Sequence, residues 1–377
     1  MAGDFAPEEF RARVARAQRR MAEHGLAAIL LTTEPEIRYV TGFLTRFWES
    51  PSRPWFVVIP AAGDPIAVIP AIGAPLMARG WISDIRAWDA PQPGDDGVSL
   101  LVETLRSVAG GGRIGMPMGP ESQLRMPLVD FRRVEAAIAP ATVVPDAGIM
   151  AGLRAVKSAA EIARIETACA IGGRAFARVG EIARPGRSLA AVFRDFQRLC
   201  LEEGADDVRY LAGGAGPLGY DDVISPATDA PLVDGDVLML DTGLTHGGYF
   251  CDYDRNFAMG RPDRRVQSAW HRLIEASDAG LAAARPGARA CDLWSAMNAI
   301  CGTTGGRLGH GLGMQLTEGL SLIAADETVL EPGMVLTLEP AVAVAEGASL
   351  VHEENIVITE TGARLLSPAA SRDLPRL

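Results

Sequence analysis

The chain is poor in several residue types on which catalysis often depends. It has five histidines, five cysteines and a single lysine, Lys157, so arginine supplies nearly all of its positive charge. A lysine nucleophile or a Schiff base would therefore have to use Lys157. The cysteines are scattered without a CxxC pair in a chain long enough to bury a core without disulfides, which favours a reducing, cytoplasmic location.

Long apolar runs and an excess of positive charge are also missing. No run of about 18 apolar residues suggests a membrane span, and the opening segment MAGDFAPEEFRARVARAQRRMAEHGL has acidic residues and helical spacing, unlike a signal peptide. The net charge of -11 disfavours binding to nucleic acid or anionic membranes, because their phosphate groups would be repelled. We expect a small molecule or a short peptide as the partner.

The distribution of apolar runs predicts two domains, as the length of 377 residues also suggests. Short runs such as LAAILLTT, WFVVIP and PIAVIP alternate with helical patterns, which is typical of an α/β domain over residues 1–150. From residue 151 a long helical pattern precedes paired strands beside further helices. This second pattern indicates an α+β domain with a mixed or antiparallel sheet over residues 151–377.

Four carboxylates lie within, or at the ends of, apolar strand patterns, namely Asp241, Asp252, Glu339 and Glu353. Because a buried carboxylate is unfavourable unless it is paired or bound to a metal, four such groups need a common explanation. If they converge, their repulsion raises their pKa values, and two divalent cations would cancel the four charges. His310 in GHGLG adds a nitrogen ligand, and the resulting set suits Mn, Fe, Co or Zn.

Each of these residues also has an ordinary structural interpretation. Asp241 can end a strand before a turn, Glu339 precedes a proline, and Glu353 can be solvated on a hairpin. His310 between two glycines can be a simple loop residue. Taken one at a time, these interpretations are preferred. Only the order and spacing of the five residues together favour a metal site.

The order and context of these residues resemble the five metal ligands of the metallopeptidases that include methionine aminopeptidase, aminopeptidase P and prolidase. The segments that carry the resemblance are LDTG, GYFCDYDRNF, GHGLG, EPGMVLTLEPAV and HEENIVITETG. The segment YVTGF is similar to the N-terminal domain of the aminopeptidase P, prolidase and creatinase branch. The resemblance implies an α/β N-terminal domain and an α+β pita-bread catalytic domain of two pseudo-symmetric halves, usually assembled as a homodimer.

The same resemblance implies a metal-dependent hydrolase that cleaves a C–N bond through a metal-activated water. The expected substrate is a small amino-acid derivative or an Xaa-Pro peptide. Two divalent ions per chain, with manganese among the candidates, would be held by Asp241, Asp252, Glu339 and Glu353, and His310 would complete one coordination shell. Glu339 is the carboxylate that the resemblance assigns to hold or take the proton of the water.

The chain departs from the family pattern at three positions. Thr317 and Ile224 stand where peptide-cleaving members carry histidines, and Val351 stands where aminopeptidase P carries an arginine. Thr317 can donate a weak hydrogen bond to a developing oxyanion, whereas Ile224 can donate none. Tyr220 and Asp222 are candidate acids or bases, although a turn built from Gly-Tyr-Asp-Asp explains them equally well.

Two other functions stay open at the level of sequence. A metal-dependent lyase, similar to the dimethylsulfoniopropionate lyases of this fold, would polarise the carboxylate of a small zwitterion while a nearby base removes a proton. A non-catalytic, peptide-binding pseudopeptidase is disfavoured. Such relatives tend to lose metal ligands, whereas all five ligand positions match here.

A stretch rich in arginine and tryptophan, TRFWESPSRPWF, is the candidate for substrate specificity. Arg46, Trp48, Arg53 and Trp55 could bind a small carboxylate or zwitterion through guanidinium groups and cation–π contacts. In related dimers the N-terminal domain contributes a lid to the neighbouring active site. An ordinary loop with two core tryptophans explains the stretch equally well.

Overall fold

The chain folds into two compact units. A computed structural model describes residues 5–49, 53–303 and 305–377. One unit ends at Arg154, and the other runs from Ala155 to Leu377. The boundary expected from the sequence, between residues 150 and 151, falls within a helix that the structure assigns to Ile149–Ala155.

The N-terminal unit contains one mixed sheet of six strands. Its elements in chain order are α1 (Pro7–Glu23), β1 (Leu26–Leu31), α2 (Glu34–Thr41), β2 (Phe56–Pro60), β3 (Ile66–Pro70), a 3₁₀ turn (Ala71–Gly73), α3 (Ala74–Met77), β4 (Asp84–Trp88), α4 (Val98–Ala109), β5 (Arg113–Met116), α5 (Leu128–Ala137), β6 (Thr142–Pro145) and α6 (Ile149–Ala155). The strand order is β4-β3-β2-β1-β5-β6, with β1 antiparallel to β2 and parallel to β5. Strands β2 and β3 are buried along their whole length, as their apolar runs predict. The α/β N-terminal domain is confirmed.

The C-terminal unit combines helices with largely antiparallel sheets. Its elements are α7 (Ala159–Ala177), a 3₁₀ turn (Val179–Glu181), α8 (Leu189–Glu202), β7 (Asp207–Ala212), β8 (Ala215–Gly216), β9 (Val237–His246), β10 (Tyr249–Phe250), β11 (Tyr253–Ala258), α9 (Arg264–Ala283), α10 (Ala290–Cys301), β12 (Gly309–Gly311), β13 (Val335–Leu338), β14 (Ala341–Ala345), β15 (Ala348–Val351), β16 (Glu354–Ile358) and β17 (Ala363–Leu365). In one sheet β9 pairs with β7, β8, β10 and β11, and a second sheet has the order β12-β13-β16-β17. Strands β14 and β15 form a separate hairpin.

The C-terminal unit repeats one arrangement in its two halves. A pair of helices accompanies each large sheet, α7 and α8 in the first half and α9 and α10 in the second. An RPG tripeptide precedes both α8 and α10. Its glycine makes the same bond in each half: Gly186 N–H donates to Leu232 O at 2.7 Å, and Gly287 N–H donates to Leu330 O at 2.9 Å. The repeat agrees with a pita-bread fold of two related halves.

The start of the C-terminal unit is fixed by local sequence. Ser158 Oγ accepts a hydrogen bond from Glu161 N at 3.3 Å, and the Glu161 carboxylate accepts one from Ser158 N at 2.9 Å. This reciprocal capping box satisfies backbone donors that the first turn of a helix leaves unpaired. The capping box explains why α7 begins at Ala159, directly after Ser158.

Two further observations concern membranes and thiols. Within the described residues, no helix has both the length and the apolar character that a bilayer span requires. All five cysteines are free, and four of them are buried.

Candidate metal centre

Strands of the two larger sheets of the C-terminal unit, and the residues next to them, position the predicted metal ligands. Asp241 lies within β9, which is buried at every position except its last. Asp252 immediately precedes β11, Glu339 follows β13, and Glu353 immediately precedes β16. His310 is the central residue of β12. Residues that are distant in the chain therefore approach one another through the pairing of their strands.

Three of the predicted ligands form a compact buried cluster. Asp241, Asp252 and Glu353 offer carboxylate oxygens that all lie within 4.8 Å of one another. Their exposed fractions are only 4%, 3% and 4%. His310 Nε2 lies 3.2 Å from Asp252 Oδ2, and the charge of Glu339 acts on all three clustered carboxyl groups. The structure thus brings the five predicted residues to one site.

Burial and mutual repulsion raise the pKa values of Asp241, Asp252 and Glu353 well above their ordinary range. Desolvation is the largest cause for each group. The next cause is a neighbouring negative charge: Asp252 for Asp241, Glu339 for Asp252, and Asp241 for Glu353. Carboxylates in such a cluster must hold protons or bind cations to become stable.

The donor atoms of the cluster fit divalent metal ions. Three buried carboxylate oxygens accept no hydrogen bond from the described residues, namely Asp241 Oδ1, Glu339 Oε2 and Glu353 Oε2. A buried oxygen that lacks a partner is unfavourable, and such groups are rare in native proteins. Carboxylate oxygens combined with one imidazole nitrogen form a set that Mn, Fe, Co and Zn accept. The free oxygens are therefore explained if cations occupy this site.

The tautomer of His310 follows from its backbone contact. Nδ1 lies 2.9 Å from Gly311 O, so Nδ1 carries the proton and donates to this carbonyl. The lone pair of Nε2 is then directed to the carboxylate side of the ring and is able to bind a metal. A hydrogen bond of this kind commonly orients metal-binding histidines.

The glycines beside His310 are required by the close approach of other backbone segments. A Cβ atom on Gly309, whose φ is +139°, would lie 2.2 Å from Thr337 O. One on Gly311 would lie 2.0 Å from Glu318 O. Side chains at either position would separate β12 from its neighbours, and the imidazole would leave the cluster.

Two residues that the sequence interpretation missed hold Asp252 in place. Asn355 Oδ1 accepts from Asp252 N at 2.9 Å, and Asn355 Nδ2 donates to Asp252 O at 2.6 Å. Thr337 Oγ1 donates to the same carbonyl at 3.0 Å. The sequence does contain a signal for these two residues. Each is a polar side chain within the apolar pattern of a strand, β13 or β16, and a buried polar residue needs a partner.

Tyr210 is a further residue that the sequence interpretation missed. It lies on β7 and pairs with Gly243 of β9, and its hydroxyl hydrogen-bonds to the carboxylate of Asp241. Burial, followed by the charge of Asp241, raises the pKa of Tyr210, so the hydroxyl is protonated and donates. Only the register between β7 and β9 shows that this tyrosine reaches the cluster.

Tyr220, predicted as a candidate acid or base, has its hydroxyl occupied by structural contacts. The hydroxyl donates to Asn256 Oδ1 at 3.0 Å and accepts from Val351 N at 2.7 Å. The residue is 3% exposed, and burial raises its pKa well above the ordinary value. These contacts favour a role in joining the first sheet of the C-terminal unit to the β14–β15 hairpin.

Asp222 and Ile224 lie in an exposed turn. The Asp222 carboxylate accepts hydrogen bonds from Ile224 N and Ser225 N, both at 3.0 Å, and the Ser225 side chain, followed by these two bonds, lowers the pKa of Asp222. Ile224 is 85% exposed. The contacts match the turn interpretation that the sequence left open. Thr317 lies half-buried in the loop between β12 and β13.

A network of ion pairs lies beside the carboxylate cluster. Arg255 Nη2 lies 3.0 Å from Glu354 Oε2, and His352 bridges Asp254 Oδ1 at 3.2 Å and Glu354 Oε1 at 3.3 Å. The His352 side chain therefore contacts Asp254 and Glu354, whereas the Glu353 carboxylate lies in the cluster with Asp241 and Asp252, as strand alternation predicts. We call Asp254, Arg255, His352 and Glu354 the paired network.

The single lysine has a structural partner. Lys157 Nζ lies 3.2 Å from Glu318 Oε1, and both side chains are almost fully buried. Glu318 Oε2 accepts from the backbone N–H groups of Met314 and Gln315, at 3.0 and 3.2 Å. The ion pair therefore supports the loop that carries Thr317.

The predicted tryptophans of the specificity stretch pack into the N-terminal unit. Trp48 and Trp55 are 6% and 2% exposed, and both rings contact Phe43, with centroid distances of 6.3 and 5.3 Å. The guanidinium group of Arg125 lies over the ring of Trp48, 5.2 Å from its centroid. This packing favours the interpretation as core tryptophans.

The two arginines of the stretch differ from the tryptophans in exposure. Arg46 is exposed and Arg53 is half-buried, with its carbonyl accepting a hydrogen bond from Arg125. Residues 50–52 of the stretch lie outside the described residues. Substrate binding by Arg46, Trp48, Arg53 and Trp55 stays a prediction.

Comparisons with known proteins agree with the fold. Residues 13–156 match the creatinase/prolidase N-terminal domain, and residues 163–360 match metallopeptidase family M24. The probable dipeptidase PepE of Mycobacterium tuberculosis is 29% identical over 368 residues, which cover 95% of this chain and 94% of that protein. An Xaa-Pro dipeptidase of Pyrococcus furiosus is 29% identical over 229 residues, 58% of this chain and 65% of that protein.

Solved structures of related proteins share this fold. The dipeptidase PepE of Mycobacterium ulcerans has a TM-score of 0.85 and 27% identity, with 99% of each chain covered. A prolidase of Thermococcus sibiricus has a TM-score of 0.86 at 20% identity, covering 98% of this chain and 99% of that one, and so shows the shared fold. The chain therefore belongs to metallopeptidase family M24, with a creatinase/prolidase N-terminal domain followed in the sequence by a pita-bread catalytic domain, and it is a hydrolase of that family.

Proposed function

We propose that this hydrolase is a dipeptidase that uses two divalent ions and takes Xaa-Pro dipeptides as its leading substrate class. One observation carries the metal dependence: three buried carboxylate oxygens accept no hydrogen bond from the described residues, beside an imidazole whose Nε2 can bind a metal. The substrate class is supported by relatives that are named dipeptidase or Xaa-Pro dipeptidase.

Asp241, Asp252, Glu339 and Glu353 would hold the two ions, and His310 would complete one coordination shell. When bound, the ions supply Lewis acidity, which polarises a carbonyl and makes water acidic enough to ionise near neutral pH. Four carboxylates offset the charge of two divalent cations. The metal is one of Mn, Fe, Co and Zn, because the donor set of oxygens and one nitrogen accepts each of them.

The protein side chains have separate roles around this centre. Glu339 is the most accessible of the four carboxylates, with a side chain 27% exposed, and we assign it to take the proton of the attacking water. Tyr210 donates a hydrogen bond to Asp241 and orients this carboxylate. Thr317 is assigned to donate a hydrogen bond to the oxyanion as the peptide carbonyl is attacked.

The other functions considered for the sequence are less well supported. A lyase needs a free base near the ions, but the hydroxyl of Tyr220 is bonded to Asn256 and Val351, and the carboxylate of Asp222 is bonded within its turn. A pseudopeptidase would not need the clustered donors that the site retains. Hydrolysis is also the activity named in the relatives.

Metal analysis of the purified protein tests the proposal directly. We expect close to two transition-metal ions per chain, and we expect an Asp241→Ala, Glu339→Ala double variant to lose both. The wild-type protein should hydrolyse Xaa-Pro dipeptides, with the product amino acids measured by chromatography, and chelation should abolish this activity. An Asp222→Ala variant is the matched control and should keep metal and activity. A metal-free wild-type protein as stable as the double variant would contradict the proposal.

Assembly and location complete the proposal. We propose a cytoplasmic homodimer in which Arg46 and Arg53 of one subunit contribute to the active site of the other. The free cysteines are consistent with a reducing compartment. Light scattering should give twice the mass of the chain. In mixed dimers, a subunit with Arg46→Ala should lower the activity of its partner subunit rather than its own.

A further inference from the structure

An arginine beside the carboxylate cluster has unused hydrogen-bonding capacity. Arg307 Nη2 lies 3.8 Å from Glu339 Oε2, which is an ion pair but is too long for a hydrogen bond. The guanidinium group makes no hydrogen bond with the described residues, and its side chain is 38% exposed. A guanidinium group carries five N–H donors in a fixed planar arrangement. These donors remain available to a ligand that enters from solvent.

The backbone that carries Arg307 is held on both sides. Trp294 Nε1 donates to Gly306 O at 3.0 Å, just before the arginine. Just after it, Leu308 N–H donates to Leu322 O at 2.9 Å, and Leu308 O accepts from Glu339 N at 2.9 Å. Arg307 therefore projects from a backbone position that is tied to Glu339 itself.

The charge of Arg307 reaches the cluster. Burial, followed by the charge of Glu339, raises the pKa of Asp252, and Arg307 acts on this carboxyl group in the opposite direction. The guanidinium group thus provides positive charge beside the carboxylates, which favours a substrate that carries an anionic group. It does so without losing its donors to a protein carboxylate.

We propose that Arg307 binds the terminal carboxylate of the substrate and thereby selects dipeptides over longer peptides and peptide amides. This inference rests on the proposed dipeptidase function. In a dipeptide, only the peptide nitrogen and one Cα separate the scissile carbonyl carbon from the carboxylate. The carboxylate must then lie close to the reacting centre, as Arg307 does. A guanidinium group binds a carboxylate through two parallel N–H···O bonds, which an amide cannot reproduce.

The test compares Arg307→Met and Arg307→Lys with a matched control, Arg261→Met. Arg261 is an exposed arginine outside the carboxylate cluster. Calorimetry measures the binding of a reduced-bond Ala-Pro analogue with a free carboxylate, and of its C-terminal amide, to each protein as purified. Steady-state kinetics compare Ala-Pro, Ala-Pro amide and Ala-Pro-Ala. Metal content is measured for every variant.

We expect Arg307→Met to weaken binding of the free acid about 10- to 100-fold, the range for hydrogen bonds to charged groups, and to leave the amide within about twofold. KM for Ala-Pro should rise by the same factor while kcat changes little. Arg307→Lys should be intermediate, because the charge stays and the paired donors are lost. Arg261→Met should match the wild type in every measurement.

Other outcomes overturn the inference and can be told apart from failure of the proposed function. Equal effects of Arg307→Met on acid and amide, with altered metal content, would mean that Arg307 only balances the charge of Glu339. Wild-type hydrolysis of acid and amide at equal kcat/KM would refute the carboxylate contact but keep the peptidase activity. A wild-type protein that holds metal but neither binds the free-acid analogue nor hydrolyses a peptide would refute both proposals.

Discussion

Glu353 and Glu354 are neighbours in the chain, are equally buried, and behave in opposite ways. Each is 4% exposed. Burial and the charge of Asp241 raise the pKa of Glu353 well above its ordinary value. Burial also raises the pKa of Glu354, but the charge of Arg255 and the hydrogen bond from His352 outweigh it and lower this pKa to about 2.

The comparison shows that burial does not decide what a carboxylate does. Successive residues along extended backbone point to opposite sides, so the two glutamates meet different partners. Glu354 meets a guanidinium and an imidazole and is satisfied by the protein. Glu353 meets other carboxylates, and its Oε2 atom has no partner among the described residues. Glu354 is thus a structural ion, whereas Glu353 must hold a proton or bind a cation.

The largest expected effect is the loss of activity and of bound metal caused by Glu353→Gln. The loss of one predicted ligand should reduce activity by more than about 100-fold, because removing even an indirect support of a metal ligand typically costs 10- to 100-fold. Metal analysis should show fewer ions per chain. In the metal-free state, however, the variant should unfold at a higher temperature than the wild type, since a repelled carboxylate is replaced by a neutral amide. A variant with full metal content and activity would contradict the ligand assignment.

Glu354→Gln should act mainly on stability. It leaves Arg255 and His352 buried beside a neutral group, and breaking a buried ion pair typically costs about 3 to 5 kcal/mol. Urea titration should show this loss, whereas Glu353→Gln in the metal-free state should show none. Equal destabilisation by the two variants would remove the distinction between the cluster and the paired network.

The metal-free protein should become less stable as pH rises above about 4, the ordinary pKa of Asp and Glu carboxyl groups. The folded pKa values of Asp241, Asp252 and Glu353 are raised, so the folded state binds more protons than the unfolded state. Their contribution is complete below the unfolded pKa values and is lost as pH rises through the folded ones. The pKa of His352 is also raised, so this residue adds a further loss of stability as pH rises.

Two controls isolate the contribution of the cluster to this pH dependence. Adding divalent metal should reduce the slope above pH 5, because the ions replace protons on the carboxylates. Glu353→Gln should reduce it as well. Glu354 contributes to the pH dependence of stability with the opposite sign, since its stabilisation of the fold is lost only as pH falls from about 4.5 towards 2. Thermal unfolding at pH values from acidic to neutral, with and without a chelator, measures both contributions to stability. If the unfolding temperature of the metal-free protein did not depend on pH, the proposed repulsion among the carboxylates would be refuted.

The smallest expected effect is that of Tyr210→Phe. The variant removes one hydrogen bond to Asp241 and leaves the aromatic ring, so metal affinity should weaken by about tenfold, the lower end for indirect supports of a ligand. Competition with a metal-binding dye measures this change. Tyr220→Phe is the control: it should lower stability through lost bonds to Asn256 and Val351 but leave metal affinity unchanged. A metal defect in Tyr220→Phe alone would reverse the two assignments.

The sequence determined a large part of this protein. Periods of apolar residues predicted an α/β domain before an α+β domain, and the order of five motifs predicted the family and its five candidate ligands. The apolar periods are local signals, because strand and helix patterns both repeat within a few residues. The resemblance added the pita-bread fold, which no local pattern could supply.

Only the tertiary structure decided which residues meet. Tyr210, Thr337 and Asn355 reach the ligands through strand pairings between distant segments, and no local pattern encodes those pairings. Burial of Trp48 and Trp55, and the turn that occupies Asp222, were equally compatible with another interpretation of the sequence. The free energy of a charged side chain depends on the groups that surround it in space. For that reason Glu353 and Glu354, which are identical and adjacent in the sequence, have different roles.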